Sequence, residues 1–109
     1  MDRDFHRIFI GTSVHRWNDN RILYKEAVSL AKKYHVELHA PAEFEEKHLK
    51  GVDIYGLPLW KKEKDRSIIR KELWRRLSCS DATIFHFHDP ELIWIGIKAI
   101  LILKKKSYL

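Results

Sequence analysis

The stretch IFHFHDPEL, residues 84–92, concentrates titratable side chains at the end of an apolar run. It contains His86, His88, Asp89 and Glu91 beside a proline and several large apolar residues. Because alternate side chains of a strand share a face, both imidazoles are predicted to point to the same side. Two such histidines can chelate one metal ion if a third ligand, here His15, lies close to them.

Each of these side chains also has a simpler role. His86 fits a hydrogen-bonded core histidine, Asp89 fits a helix cap, and Glu91 suits the first turn of a helix. A three-histidine metal site further needs geometry and supporting partners that spacing does not show. We therefore predict no metal and no cofactor, and we assign ligand binding first to His15 and His88, which lie on a loop and a strand end.

Four apolar runs predict buried strands, and three amphipathic or apolar stretches predict helices. The predicted order is strand 7–14, helix 21–34, strand 36–42, strand 52–58, helix 65–78, strand 81–88 and helix 91–106. Asn18, Asp19 and Asn20 are candidate caps for the first helix. Residues 44–51 are charged and are predicted to form a helical or irregular connection.

This alternation predicts a single domain over residues 1–109 with a three-layer, Rossmann-like α/β fold. We expect a mostly parallel four-stranded sheet in the order 3-2-1-4, with helices on both faces. The first and fourth strands are then neighbours, and open parallel sheets bind ligands at the carboxyl ends of such strands. His15, His86, His88 and Asp89 should converge there, and the N-terminus of the last helix would favour an anion.

The composition restricts the class of protein. Cys79 is the only cysteine, which excludes an intrachain disulfide and a cysteine-based zinc motif and fits a reducing compartment. The N-terminus lacks the long apolar segment of a signal peptide. The longest apolar run, residues 92–103, contains Lys98 and is shorter than the roughly 20 residues that span a bilayer. We predict a cytoplasmic protein, with peripheral contact to a membrane as an option.

The formal net charge is +6, and the excess is concentrated in residues 61–76. We define the basic patch by its members: Lys61, Lys62, Lys64, Arg66, Arg70, Lys71, Arg75 and Arg76. A solvated helix face is the favoured interpretation of such a charge run, and phosphates or anionic lipids are alternative partners. Nucleic acid is disfavoured, because no recognised binding motif accompanies the aromatic residues near the patch.

Residues 81–106, DATIFHFHDPELIWIGIKAILILKKK, closely resemble a segment of family-four-type glycosyltransferases of the GT-B fold. That family carries an Asp-x-x-x-x-His-x-His-Asp-Pro-Glu-Leu pattern between a strand and an apolar helix. The upstream HRWNDNRILYKEAVSLAKKYHVELHAP is similar to the opening of the same family. The resemblance implies the acceptor-side part of an N-terminal domain, which faces a second, donor-binding domain across a cleft. It also implies that the acceptor is lined by His15, Asn18, Asp19, Arg21, His88, Asp89 and Glu91.

The family continues beyond the point where this sequence stops, so we expect a truncated acceptor domain that is inactive by itself. The partner would then be a missing donor-domain chain, and the ligand a sugar or a lipid-linked acceptor. The alternative is a non-catalytic interaction module. It would homodimerise through an open sheet edge beside the fourth strand and through the apolar last helix.

Overall fold

The computed structural model describes residues 7–59, 65–89, 92–98, 100–101 and 106–108, the last three by their backbone only. The strands are β1 (Arg7–Gly11), β2 (His35–Pro41), β3 (Glu46–Leu49), β4 (Val52–Leu57), β5 (Ile84–Phe87) and β6 (Lys106–Tyr108). A π-helical segment (Asn20–Ala27) continues into a single α-helical turn, α1 (Val28–Leu30). The other described helices are α2 (Asp65–Cys79) and α3 (Ile93–Lys98).

The strands form one mixed sheet in the order β3-β4-β2-β1-β5-β6, in which β6 is only three residues long. The β3-β4 pair is antiparallel, and every other neighbouring pair is parallel. The predicted fold, a mostly parallel four-stranded sheet in the order 3-2-1-4 with helices on both faces, is therefore wrong. The sheet is larger than predicted, and it contains a hairpin that the prediction lacked.

The additional antiparallel pair arises from a tight turn at Lys50 and Gly51, whose φ angles are 50° and 86°. Positive φ at both central residues is the geometry of the two-residue turns that join twisted hairpin strands. Most of β3 is exposed, so no alternation of apolar residues marked it as a strand. The prediction of a helical or irregular connection over residues 44–51 is thus wrong for β3.

The C-terminal part of the chain also differs from its prediction. The last helix was predicted to run to Lys106, whereas Lys106 begins β6. The described helical residues of this region include α3 and residues 100–101. Since β6 pairs with β5, the open edge that was predicted beside the fourth strand is occupied. This pairing satisfies backbone N–H and C=O groups that a free edge would expose.

Two apolar clusters lie on opposite sides of the sheet, because successive side chains of β1 alternate. Ile8 and Ile10 pack with Ile22 and Leu23 of the π-helical segment. Phe9 points the other way, into a cluster formed mainly by Ile69, Leu73 and Leu77 of α2, Phe85 and Phe87 of β5, and Leu92 and Ile95. The three α2 residues are four apart along the helix, so they present one apolar stripe to the sheet.

Candidate functional site

The carboxyl ends of β1 and β5 lie side by side at one end of the sheet. Ile10 is paired with His86, and Gly11 with Phe87. The N–H of His88 then donates to the Gly11 carbonyl at 3.3 Å. A Cβ on Gly11 would lie 2.7 Å from the Phe87 ring, so a larger residue at this position would push the two strand ends apart. The predicted adjacency of the first strand and the His86 strand is confirmed.

Asp89 holds the loop after β1 against the end of β5. Its side chain is buried, with the residue 4% exposed. Its carboxylate accepts hydrogen bonds from the Thr12 hydroxyl (3.0 and 3.1 Å), the Ser13 N–H (2.5 Å) and the Ser13 hydroxyl (2.9 Å). The Val14 N–H donates to the same carboxylate at 3.3 Å. Among the described residues, the Asp89 side chain therefore ties two loops together, a role that the predicted helix cap did not include.

His15 and Asp19 extend this polar region toward solvent. The Nε2 atom of His15 lies 3.8 Å from the Asp89 carboxylate, and its Nδ1 atom lies 3.6 Å from Asp19. Asp19 caps the π-helical segment by accepting from the N–H groups of Arg21 (3.0 Å) and Ile22 (3.1 Å). Burial acts against it, but these hydrogen bonds lower the pKa of Asp19 below its usual value.

A second group of side chains, which we call the crevice cluster, consists of Glu26, His86 and His88. The two imidazole rings are nearly parallel, at 14°, with centroids 4.5 Å apart. His88 Nε2 is buried and lies 3.2 Å from a Glu26 carboxylate oxygen, but it makes no hydrogen bond with the described residues. Burial lowers the pKa of His88, while the neighbouring Glu26 carboxylate opposes that shift.

The structure brings several residues of the predicted site together. It brings His15, Asp19, His86, His88 and Asp89 to one end of the sheet, while Asn18 and Arg21 are exposed on the same loop and helix start. Glu91 lies outside the described residues. Glu26 was missed, because the sequence does not show which side of the first helix faces β5.

A polar network beneath α2 was not part of the predicted site. It consists of Glu37, His39 and Arg76, and we call it the α2 network. It lines a cleft of about 390 Å³. His39 Nε2 lies 3.3 Å from Glu37, and Arg76 approaches His39 Nδ1 at 3.3 Å. Because an arginine can only donate, Nδ1 must accept, and the Nε2–H donates to Glu37. The signal for this network was the spacing of Glu37 and His39, two apart on one strand.

The α2 network has hydrogen-bond partners at each of its groups. Glu37 also accepts from the Ser80 hydroxyl at 2.8 Å and from Arg7 at 3.3 Å. Arg76 donates to the Gly56 carbonyl at 2.9 Å. Burial lowers the pKa of His39, and the Arg76 charge acts in the same direction although Glu37 opposes both. His39 is therefore a neutral side chain enclosed by satisfied partners.

The basic patch divides into parts with different surroundings. Lys61, Lys62 and Lys64 lie outside the described residues, and Arg66, Arg70, Lys71, Arg75 and Arg76 are on α2. Arg75 and Arg76 contact Glu72 at 2.5 and 2.8 Å, which lowers the pKa of Glu72 to about 2.

A groove of about 310 Å³ between α2 and α3 contains other members of the patch. Arg70 and Lys71 line it together with Trp74, Trp94 and Lys98. The Lys98 ammonium lies 4.5 Å from the centre of the Trp74 ring, which is a cation–π contact. The groove thus combines positive charge with aromatic surface.

Comparisons with protein-family models, with curated proteins and with solved structures give no match. The chain is a small α/β domain with a mixed sheet, and its resemblance to glycosyltransferases stays a prediction. Within the described residues, every helix is too short or too polar to cross a bilayer.

Proposed function

We propose that this chain is an acceptor-side, ligand-binding domain of the glycosyltransferase type. The supporting observation is the convergence of His15, His88 and Asp89 where the parallel strands β1 and β5 end next to each other. Ligands of open α/β sheets bind at this end of the strands. In the resembled glycosyltransferases an acceptor receives sugar from a nucleotide-sugar. The resemblance implies that the acceptor lies at this same end of the strands.

The polar groups at this crevice suit a ligand rich in hydroxyl groups. His15 is one-third exposed, and the carboxylates of Asp19 and Asp89 flank its two ring nitrogens. At 3.6 and 3.8 Å these contacts are longer than hydrogen bonds, so the ring nitrogens keep the capacity to accept from or donate to a sugar hydroxyl. Asp89 itself is enclosed by the loop, so it positions this loop and His15 rather than contacting the ligand.

Titration calorimetry tests this proposal. A panel of methyl glycosides should bind the chain, and His15→Ala should weaken that binding by about tenfold, the loss of one or two hydrogen bonds. His48→Ala is the matched control, since His48 is an exposed histidine on β3. In the resembled family a second domain holds the donor, so UDP- and GDP-sugars should give no heat and the chain alone should transfer no sugar. Turnover by the chain alone, or glycoside binding that survives His15→Ala, would overturn the proposal.

The α2–α3 groove supports a second function, peripheral contact with an anionic membrane. Trp94 is 71% exposed and Leu101 is 72% exposed, and Arg70, Lys71 and Lys98 lie beside Trp94. Exposed apolar residues with basic neighbours fit an anionic lipid surface, because the tryptophan enters the interface while the bases meet head groups. The same positive charge would oppose a second copy of this chain on the same face.

Vesicle flotation distinguishes an anionic membrane from a second copy of this chain as the partner of the α2–α3 groove. The chain should float with vesicles that contain phosphatidylglycerol and not with pure phosphatidylcholine, and Trp94→Ala should abolish flotation. Tyr24→Ala is the control, since Tyr24 is an exposed aromatic residue of the first helix. If light scattering instead shows a dimer that Trp94→Asp dissociates, the groove serves the homodimer predicted as the alternative and the membrane proposal is wrong.

A further inference from the structure

Three donor groups from two separate elements meet in the crevice cluster. Glu26 belongs to the π-helical segment, whereas His86 and His88 come from β5 and the residue after it. One ligand atom from each side chain lies within 4.8 Å of the other two. We propose that Glu26, His86 and His88 form a binding site for a divalent transition-metal ion of the zinc type.

The donor set selects the class of ion. Two imidazole nitrogens and one carboxylate oxygen suit zinc and its first-row neighbours, whereas calcium and magnesium prefer oxygen ligands throughout. Bonds of about 2.0–2.2 Å around a tetrahedral ion place neighbouring donor atoms about 3.3–3.5 Å apart. The present separations reach up to 4.8 Å, so ion binding requires rotations of these three partly exposed side chains.

His88 provides an independent indication of a missing ligand. Its Nε2 atom is buried without a hydrogen bond, although a carboxylate oxygen lies only 3.2 Å away. Buried polar atoms normally have a partner, and an orphaned one points to a group that binds there. A cation between the imidazole and the carboxylate would satisfy both side chains at once.

This site differs from the three-histidine arrangement considered from the sequence. His15 is held between the carboxylates of Asp19 and Asp89, and Glu26 takes the third position instead. Three protein ligands leave one coordination position open, as in catalytic zinc sites. That open position would accept water or an oxygen of a ligand. The proposal needs no glycan acceptor, so it stands or fails separately from the proposed function.

Calorimetric titration of the chelator-treated chain with Zn²⁺ tests the site. We expect one equivalent to bind, and His88→Gln and Glu26→Gln each to weaken binding by about tenfold to a hundredfold or more. Titration with Co²⁺ should produce the visible absorption of a four-coordinate site in the unmodified chain and not in either variant.

The matched control is His48→Gln. His48 contacts Asp53 at 2.6 Å and Glu46 at 3.0 Å, so it belongs to the surface group on which zinc would adsorb without a built site. Affinity that is unchanged in His48→Gln and lost in His88→Gln supports the proposal. The absence of zinc binding, or binding that is lost only in His48→Gln, overturns it.

Thermal unfolding distinguishes a variant that has lost zinc binding from a variant that does not fold. Zinc should raise the melting temperature of the unmodified chain, since it binds the folded state alone. Glu26→Gln keeps the size of a partly exposed side chain and should melt like the unmodified chain without zinc. If zinc raises the melting temperature of this variant equally, Glu26 is not a ligand and the three-residue site is wrong.

Discussion

The crevice cluster and the α2 network each contain a largely buried histidine, but the two histidines differ in whether their ring nitrogens are hydrogen-bonded. The side chains of His39 and His88 are 8% and 12% exposed, and burial lowers the pKa of both. Both ring nitrogens of His39 have partners, in Glu37 and Arg76. Nε2 of His88 makes no hydrogen bond with the described residues, although a Glu26 carboxylate oxygen lies 3.2 Å away. Within the described part of the chain, the α2 network is thus fully hydrogen-bonded, whereas the crevice cluster has capacity for a further group.

This difference bears on which of the two regions is the proposed binding site. The cleft of about 390 Å³ is lined by the α2 network, whose Glu37 already accepts from His39, Ser80 and Arg7. A ligand at the α2 network itself would have to displace those partners. We therefore expect the α2 network to contribute to stability, while the crevice remains the proposed binding site, since an unsatisfied buried polar atom needs an explanation such as a bound group.

We expect the largest loss of stability from Asp89→Ala, because the buried Asp89 carboxylate accepts several hydrogen bonds beside the crevice cluster. Removing its carboxylate removes an acceptor of the Thr12 hydroxyl and of the Ser13 N–H. We expect a loss of about 3 kcal/mol in the free energy of unfolding, measured by urea denaturation. Asp89→Asn should lose less, since an amide still accepts. A loss below about 1 kcal/mol in the alanine variant would show that this carboxylate does not hold the loop.

The next effect tests the α2 network by His39→Phe, which keeps a ring of similar shape. Glu37 and Arg76 each lose a partner in a buried setting, so we expect a loss of about 2 kcal/mol in urea denaturation. The stack on Phe9, at a centroid distance of 4.1 Å, is retained by a phenyl ring and does not contribute to the loss. A variant as stable as the unmodified chain would remove the distinction between the two regions.

A smaller effect concerns pH. Because the pKa of His39 is lower in the folded chain than the ordinary 6.5, the unfolded chain binds a proton first as pH falls. The stability that comes from neutral His39 is therefore present above pH 6.5 and is lost as pH falls below it. Glu37, Glu72 and Arg76 are the charged groups that act on this histidine.

The measurement compares urea midpoints at about pH 8 and about pH 6. The decrease should be larger in the unmodified chain than in His39→Phe, which has no proton to bind at that position. His88 contributes with the same sign in both proteins, so the difference between them isolates His39. Equal decreases in the two proteins would contradict the assignment.

The smallest expected effect is that of His88→Phe on the metal-free chain. Among the described residues, Nε2 makes no hydrogen bond and loses only its 3.2 Å contact with the partly exposed Glu26 carboxylate, so the free energy of unfolding should change by less than about 1 kcal/mol. The contrast with His39→Phe, the same substitution in the other region, is the most direct test of the comparison. A loss as large as that of His39→Phe would show that His88 has a structural partner.

Sequence reasoning located the polar end of the sheet but not all the groups that complete it. His15, His88 and Asp89 were found because they follow predicted strands, and parallel strands present their carboxyl ends at the same edge. Glu26 was not, since its role depends on how the first helix is rotated against β5. Strand β3 was missed because its exposed side chains show no alternation, although the Lys50–Gly51 pair was a turn signal.

The sequence by itself determined which segments are apolar, which residues cap or end them, and that polar residues follow β1 and β5. These properties depend on neighbouring residues, through periodicity and turn chemistry. Only the tertiary structure decided that β6 covers β5, that Glu26 faces two histidines, and that Arg76 turns from the basic patch toward His39. These contacts join residues far apart in the chain, and the packing of helices on the sheet selects them.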